Sequence, residues 1–175
     1  MKELILKPLA APRLNVNEPS GSLTHRRSEL MTERKKKAIV CDVDGVLSLN
    51  VTGRGWLDWK RVGEDQLSQP IKDLLDLIVD SGKLDVILMT ARDDEARSET
   101  VKWLGRNGVH YDQLYMRPPD NDDDSAKVKE ELYFKFVEPI YSVIFALDDD
   151  PGIVAMWERN GIKCFHVMSD KGEMR

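Results

Sequence analysis

From Ala38 onward, short apolar runs alternate with segments whose apolar residues recur every three or four positions. "AIVCDV" (38–43) reads as a buried strand. "PIKDLLDLIVDSG" (70–82) sets Ile71, Leu74, Leu75 and Ile78 on one helical face, opened by Pro70 and closed by Gly82. "LDVILMT" is a second strand, and "DEARSETVKWLGRNG" a helix ending near Gly105 or Gly108. "QLYMR" is a short third strand. "SAKVKEELYFKFVE" spaces Val128, Leu132 and Phe136 four apart behind a cap at Ser125 or Asp124. "SVIFALDD", "PGIVAMWERNG" and "KCFHV" then read as strand, helix, strand. This alternation predicts βαβ crossovers and an α/β, Rossmann-like three-layer sandwich around a central parallel sheet. There is no internal repeat. Residues 1–37 hold Pro8, Pro12, Pro19, "NEPSGS" and "ERKKK" without an apolar period, so they read as a flexible basic arm before one domain at 38–175. Met31 lies just before the ordered pattern and is an alternative start.

At 175 residues, 41% hydrophobic and 33% charged, the chain has the composition of an ordinary soluble domain with a real core. No stretch reaches the roughly eighteen apolar residues of a membrane span. Glu3, Lys7 and Pro8 interrupt the start before a signal-type region forms, so the expectation is a cytoplasmic protein without a membrane partner. Cys41 and Cys164 each fall in an expected strand, which favours core thiols over a disulfide. His25, His110 and His166 are isolated, and none is assigned catalysis. The net charge of −5 is uneven: residues 1–37 carry nine Lys/Arg and four Asp/Glu, leaving 17 and 27 for the rest. A body at net −10 does not track nucleic-acid phosphates by long-range attraction, so such a substrate would be gripped locally.

The chemistry gathers where the strands end, which is where ligands bind in such sheets. The first strand ends in Asp42 and Asp44, the second in Thr90 with Arg92 behind it, and the fourth in Asp148, Asp149 and Asp150. Carboxylates crowded at one edge repel each other unless a positive group joins them. A hard divalent cation, Mg²⁺ for preference, resolves that repulsion. Residues i and i+2 of an extended strand point the same way, so Asp42 and Asp44 face one bound group. One carboxylate can attack phosphorus while the other protonates the leaving oxygen. A bare turn is the bland reading of D-x-D-G. A calcium loop fits poorly at Asp42, where a glutamate would be needed at Gly53. It fits poorly also in "DNDDDSAKVKEE", which has Ser125 where a glycine is required.

"DVDGVL", "GRG" at Gly53–Gly55, "TAR" at Thr90–Arg92, "VKEELYFK" and "ALDDDPGIVAMWERNGIKCFHV" together resemble the haloacid dehalogenase (HAD) superfamily, and within it the 3′-phosphatase domain of phage-type polynucleotide kinase/phosphatase. The resemblance covers roughly residues 38–168. It implies Asp42 as the nucleophile forming a covalent phospho-enzyme, and Asp44 as general acid and then base. It further implies Thr90 as a donor to the transferring phosphoryl group and Lys129 as its neutralising cation. Arg54 and Arg92 would hold phosphate oxygens or the nucleic-acid end. Mg²⁺ would sit on Asp42, Asp148, Asp149 and the Asp44 backbone carbonyl. Lys127 is a rival for Lys129, and Trp56 and Trp59 beside the glycines suit either base stacking or core packing. Val46 and Ser125 depart from the family pattern, Ser125 standing where an acid is usual, with Asp124 as its possible substitute. No G-x-x-x-x-G-K-[ST] is present, so a free-standing phosphatase working beside a separate kinase or ligase is expected.

The segments after the first two strands are too short for a large cap, which suits a bulky substrate such as a strand end. The enzymatic alternative is a HAD phosphatase of nucleotide monophosphates or sugar phosphates. A receiver-like domain that accepts phosphate on Asp42 without turnover is the non-enzymatic one. Asp44 argues against it, because a receiver has no use for a second acid after the nucleophile.

Overall fold

The computed structural model describes residues 35–55 and 58–168. The expected arm up to residue 34, with Met31, and also Trp56, lie outside the described residues. In chain order the elements are β1 (Lys36–Cys41), β2 (Ser48–Leu49), β3 (Gln66–Leu67), α1 (Gln69–Ser81), β4 (Asp85–Asp93), α2 (Arg97–Arg106), β5 (Gln113–Arg117), α3 (Ser125–Leu132), β6 (Tyr141–Asp148), α4 (Pro151–Arg159) and β7 (Cys164–His166). Five of the strands form one parallel sheet in the order β5-β4-β1-β6-β7. The chain winds from β1 outward to β5, then returns to the other side of β1 for β6 and β7. That reversal opens a crevice at the carboxyl ends of β1, β4 and β6.

Both faces of the sheet are covered, as the unbroken apolar run of β1 predicts. Ala38 and Val40 pack with Val128, Leu132, Ile153, Met156 and Trp157, on the side of α3 and α4. Ile39 and Cys41 pack with Leu75, Trp103 and Leu104, on the side of α1 and α2. Each Val, Ile, Leu or Met side chain among them contributes about 1.5–3 kcal/mol when fully buried. Cys41 and Cys164 are buried free thiols, and burial pushes Cys164 up to about 12. Among the described residues no helix is long and apolar enough to cross a membrane.

Several expected boundaries and faces move. β1 starts at Lys36, because the backbones of Lys36 and Lys37 pair with Tyr141 and Ser142 although their side chains are exposed. It ends at Cys41, although Asp42 N–H still donates to Leu147 C=O of β6 at 3.0 Å and Asp44 lies beyond, in an isolated bridge with Ser48. α1 has Pro70 at its start and Gly82 left-handed at its end, but Leu74 turns out to solvent. The helix expected over 125–138 gives way after Leu132 to a π-helical turn, Tyr133–Val137, closed by Glu138 N–H donating to Tyr133 C=O at 2.8 Å. One extra residue per turn rotates the face, so Tyr133 and Val137 are buried and Phe136 swings out to stack on Tyr115. β2 and β3 form a two-stranded antiparallel ribbon that pattern alone does not reveal. Between them a 3₁₀ helix, Trp59–Glu64, completes the small structure beside the crevice.

Candidate active site

Two groups of charges meet at the carboxyl edge of the sheet. Lys129, on α3, organises the first. Its side chain is 1% exposed, and Nζ lies 2.8 Å from Asp42 Oδ1 and 2.7 Å from Asp148 Oδ2. Asp148 accepts a hydrogen bond from this ammonium, and the buried Asp42 Oδ1 has it as its charged neighbour. One carboxylate oxygen each from Asp42, Asp148 and Asp149 lie within 4.8 Å of one another. Gly45 makes this approach possible: at its φ of +83°, a Cβ would sit 2.2 Å from Asp149 Oδ2.

Charge follows from that geometry. Burial pushes the Asp42 carboxyl well above the ordinary range; Lys129 opposes, while Asp148 and Asp44 add to the rise. For Lys129, burial alone would lower the ammonium, but Asp42 and Asp148 outweigh it and hold it above its usual value. Asp42 and Asp148 share the one Lys129 ammonium, which leaves that pair with a formal excess of one negative charge. Three hard carboxylate donors within 4.8 Å of one another and that excess fit a divalent cation of the Mg²⁺ type.

The second group is balanced within itself. Asp44 accepts from Thr90 Oγ1 at 3.1 Å, from Arg92 Nε at 2.9 Å and Nη2 at 2.8 Å, and lies 3.4 Å from Arg54 Nη2. Behind the arginines sits Asp65, a residue that sequence reasoning missed. Its carboxylate accepts from Arg54 Nε and Nη2 at 2.8 Å each, from Arg92 Nη2 at 3.1 Å and from Ser48 Oγ at 2.7 Å. Burial would raise the Asp65 carboxyl, but the bonds from Arg54 and Ser48 dominate and hold it below the usual range. Arg92 also donates to Thr100 Oγ1, which fixes it from the α2 side. Nothing local marks Asp65, since only the fold brings "GEDQ" against the two arginines.

Of the expected site residues, Asp42, Asp44, Thr90, Arg92, Lys129 and Asp149 line one cavity of about 140 Å³, with Trp59 and Ser125 on its wall. Asp148 lies buried against Lys129, and Arg54 reaches the group through Asp44 and Asp65. Lys127 is exposed and paired to Asp123, away from Asp42 and Asp148. Asp124 is exposed and caps α3 by accepting from Lys127 N–H, so the position four before Lys129 offers the Ser125 hydroxyl to the cavity. Asp150 caps α4 through Gly152 and Ile153 N–H. Arg117, also missed, clamps the acidic loop by donating to the Ala91, Asn121 and Asp123 carbonyls.

A family model described as the polynucleotide kinase PNKP phosphatase domain matches residues 36–171. The chain belongs to this HAD-type phosphatase-domain family. Hydrolase is accordingly its enzyme class. Among relatives of the family, a protein of Autographa californica nuclear polyhedrosis virus, named as a bifunctional polynucleotide kinase/RNA ligase, is 26% identical over 124 residues, which is 70% of this chain and 18% of that protein. Two solved structures of the Pnkp1/Rnl/Hen1 RNA repair complex superpose with a TM-score of 0.72 at 32% identity, over 77% of this chain. This chain spans 47% and 43% of those chains, less than half of either. The class C acid phosphatase of Bacillus anthracis shares the fold, with a TM-score of 0.60 at 17% identity, covering 85% of this chain and 72% of that one.

Proposed function

We propose that the chain is a Mg²⁺-dependent phosphomonoesterase that removes the 3′-phosphate from polynucleotide ends through an aspartyl-phosphate on Asp42. The observation that carries this reading is the buried Asp42–Lys129–Asp148 contact, with Asp149 alongside, facing the same cavity as Asp44 and Thr90. An Asp42 oxygen attacks phosphorus as the bond to the 3′ oxygen breaks, and Asp44 supplies the proton which that oxygen takes up. Asp44 then accepts a proton from the water that cleaves the acyl phosphate, which returns Asp42 to a carboxylate and releases inorganic phosphate. Thr90 donates to the phosphoryl oxygens and Lys129 balances their charge, while Arg54 and Arg92 exchange their bonds to Asp44 for bonds to substrate. Asp42, Asp148, Asp149 and the Asp44 carbonyl would hold Mg²⁺, which supplies neutralisation of phosphoryl and carboxylate charge. Relatives in an RNA repair complex and in a kinase/ligase support a nucleic-acid substrate and a separate kinase or ligase as working partners.

The test is a panel of 3′-phosphorylated oligonucleotides, nucleotide monophosphates and sugar phosphates with and without Mg²⁺. Metal-dependent phosphate release is expected from the 3′ ends, and none from them by Asp42→Asn with its fold intact. Turnover confined to the small phosphates would replace the polynucleotide reading, and unaltered turnover by Asp42→Asn would remove that residue as nucleophile.

A further inference from the structure

Three of the four tryptophans lie among the described residues, and they have different fates. Trp103 and Trp157 are buried in the two halves of the core. Trp59 belongs to neither half. It is only partly buried and is the one aromatic side chain lining the catalytic cavity among the described residues. Its neighbours on that wall are carboxylates, cations, hydroxyls and small apolar groups, none of which offers a flat apolar face.

The segment that carries Trp59 is anchored to the site. Trp59 opens the 3₁₀ helix that ends at Glu64, and the next residue is Asp65. Asp65 is held by Arg54, Arg92 and Ser48 through its carboxylate, and its backbone carbonyl accepts from Trp103 Nε1 at 2.8 Å. The indole is therefore carried on a segment locked to the same arginines that border Asp44, which limits the ordering that binding must impose. The sequence beyond position 37, with 27 acidic and 17 basic residues, gives a strand little long-range attraction, so local contact must supply the grip. Stacking is such a contact, and it tolerates every base because each has a π-face.

We propose that Trp59 is a stacking platform for the terminal nucleobase of a 3′-phosphorylated strand, so that the site selects its substrate by base as well as by phosphate. This rests on the polynucleotide reading above. It makes the substrate class a 3′-phosphomonoester that carries a planar base, with little preference among the four.

The experiment compares 3′-phosphorylated oligonucleotides that end in a natural base with the same strands ending in an abasic sugar. Wild type, Trp59→Ala, Trp59→Phe and Trp59→Leu are measured for KM and kcat. Removing the base should raise the wild-type KM roughly 5- to 150-fold, the range expected for one stacked base. Trp59→Ala should show a similar rise on the base-bearing strand and no further rise on the abasic one. Phenylalanine should restore most of the difference and leucine should not, a pattern that a merely structural role does not give. Equal wild-type KM values on the two strands would overturn the proposal while leaving the 3′-phosphatase reading intact, and this arm needs no variant to fold. A variant that loses equally on both strands would overturn it too. A wild type that releases phosphate from neither strand would remove the polynucleotide reading, and the stacking role with it.

Discussion

Asparagine at position 65 keeps the side-chain volume and removes the charge. Asp65 is 1% exposed at its side chain and accepts four hydrogen bonds, three of them from guanidinium groups. Breaking a buried ion pair from one side costs about 3–5 kcal/mol, because the partner is left uncompensated. The single amide oxygen recovers about 1 kcal/mol as an ordinary hydrogen bond, so the net loss is about 2–4 kcal/mol. With a urea slope of about 2 kcal/mol/M, the unfolding midpoint should fall by about 1–2 M at neutral pH. Equilibrium unfolding followed by tryptophan fluorescence, in reductant because both cysteines are free, measures it. Turnover should fall as well, since Arg54 and Arg92 lose their anchor. The pH dependence gives a second check. Asp65 has a folded pKa below its unfolded value of about 3.9, so its stabilisation is present above that pH and is lost as pH falls through the lower folded value. Asparagine should flatten that window. A midpoint within about 0.3 M of wild type would refute the reasoning.

Gly45→Ala places a Cβ against Asp149 at a left-handed φ, which costs about 1–2 kcal/mol in backbone strain alone, and should shrink the rise in Tm produced by Mg²⁺. A full Mg²⁺ response in that variant would locate the ion elsewhere. Lys129→Met strands Asp42 and Asp148, so it should cost about 3–5 kcal/mol in urea unfolding and abolish turnover, whereas exposed Lys127→Met should leave both unchanged. Equal effects at the two lysines would contradict the burial argument. In chelator near neutral pH, Asp42→Asn should melt no lower than wild type. The raised Asp42 carboxyl contributes stability that is present below about pH 3.9 and lost as pH rises through its folded value. Added Mg²⁺ should then favour wild type, and melting curves that show the reverse order would count against a cation at this cluster.

Alternation and spacing made most of the sheet and helices legible, because an apolar run such as β1 and a face such as Leu75 with Ile78 reflect burial directly. The acids of the site were legible for a related reason: charge at the end of a buried strand has no structural use unless something offsets it. What escaped depends on distant partners. Asp65 follows Glu64 in a stretch without chemical pattern and becomes a clamp only when β2 and β3 pair and bring it beneath Arg92. The outward turn of Phe136 depends on a single π-helical turn, which no periodicity of 3.6 anticipates. The strand argument put Asp42 and Asp44 on one side, and both line one cavity although the regular strand β1 ends at Cys41.

The neutrality of the Asp44–Asp65–arginine group bears on how a cycle closes. Each guanidinium already has a carboxylate of its own, so in the proposed mechanism an arriving phosphate gains no bare cation and trades places with Asp44. The same exchange runs backwards once inorganic phosphate has formed. Asp44 can reclaim its donors as the ion leaves, so departure uncovers no stranded charge, and the product should inhibit only weakly.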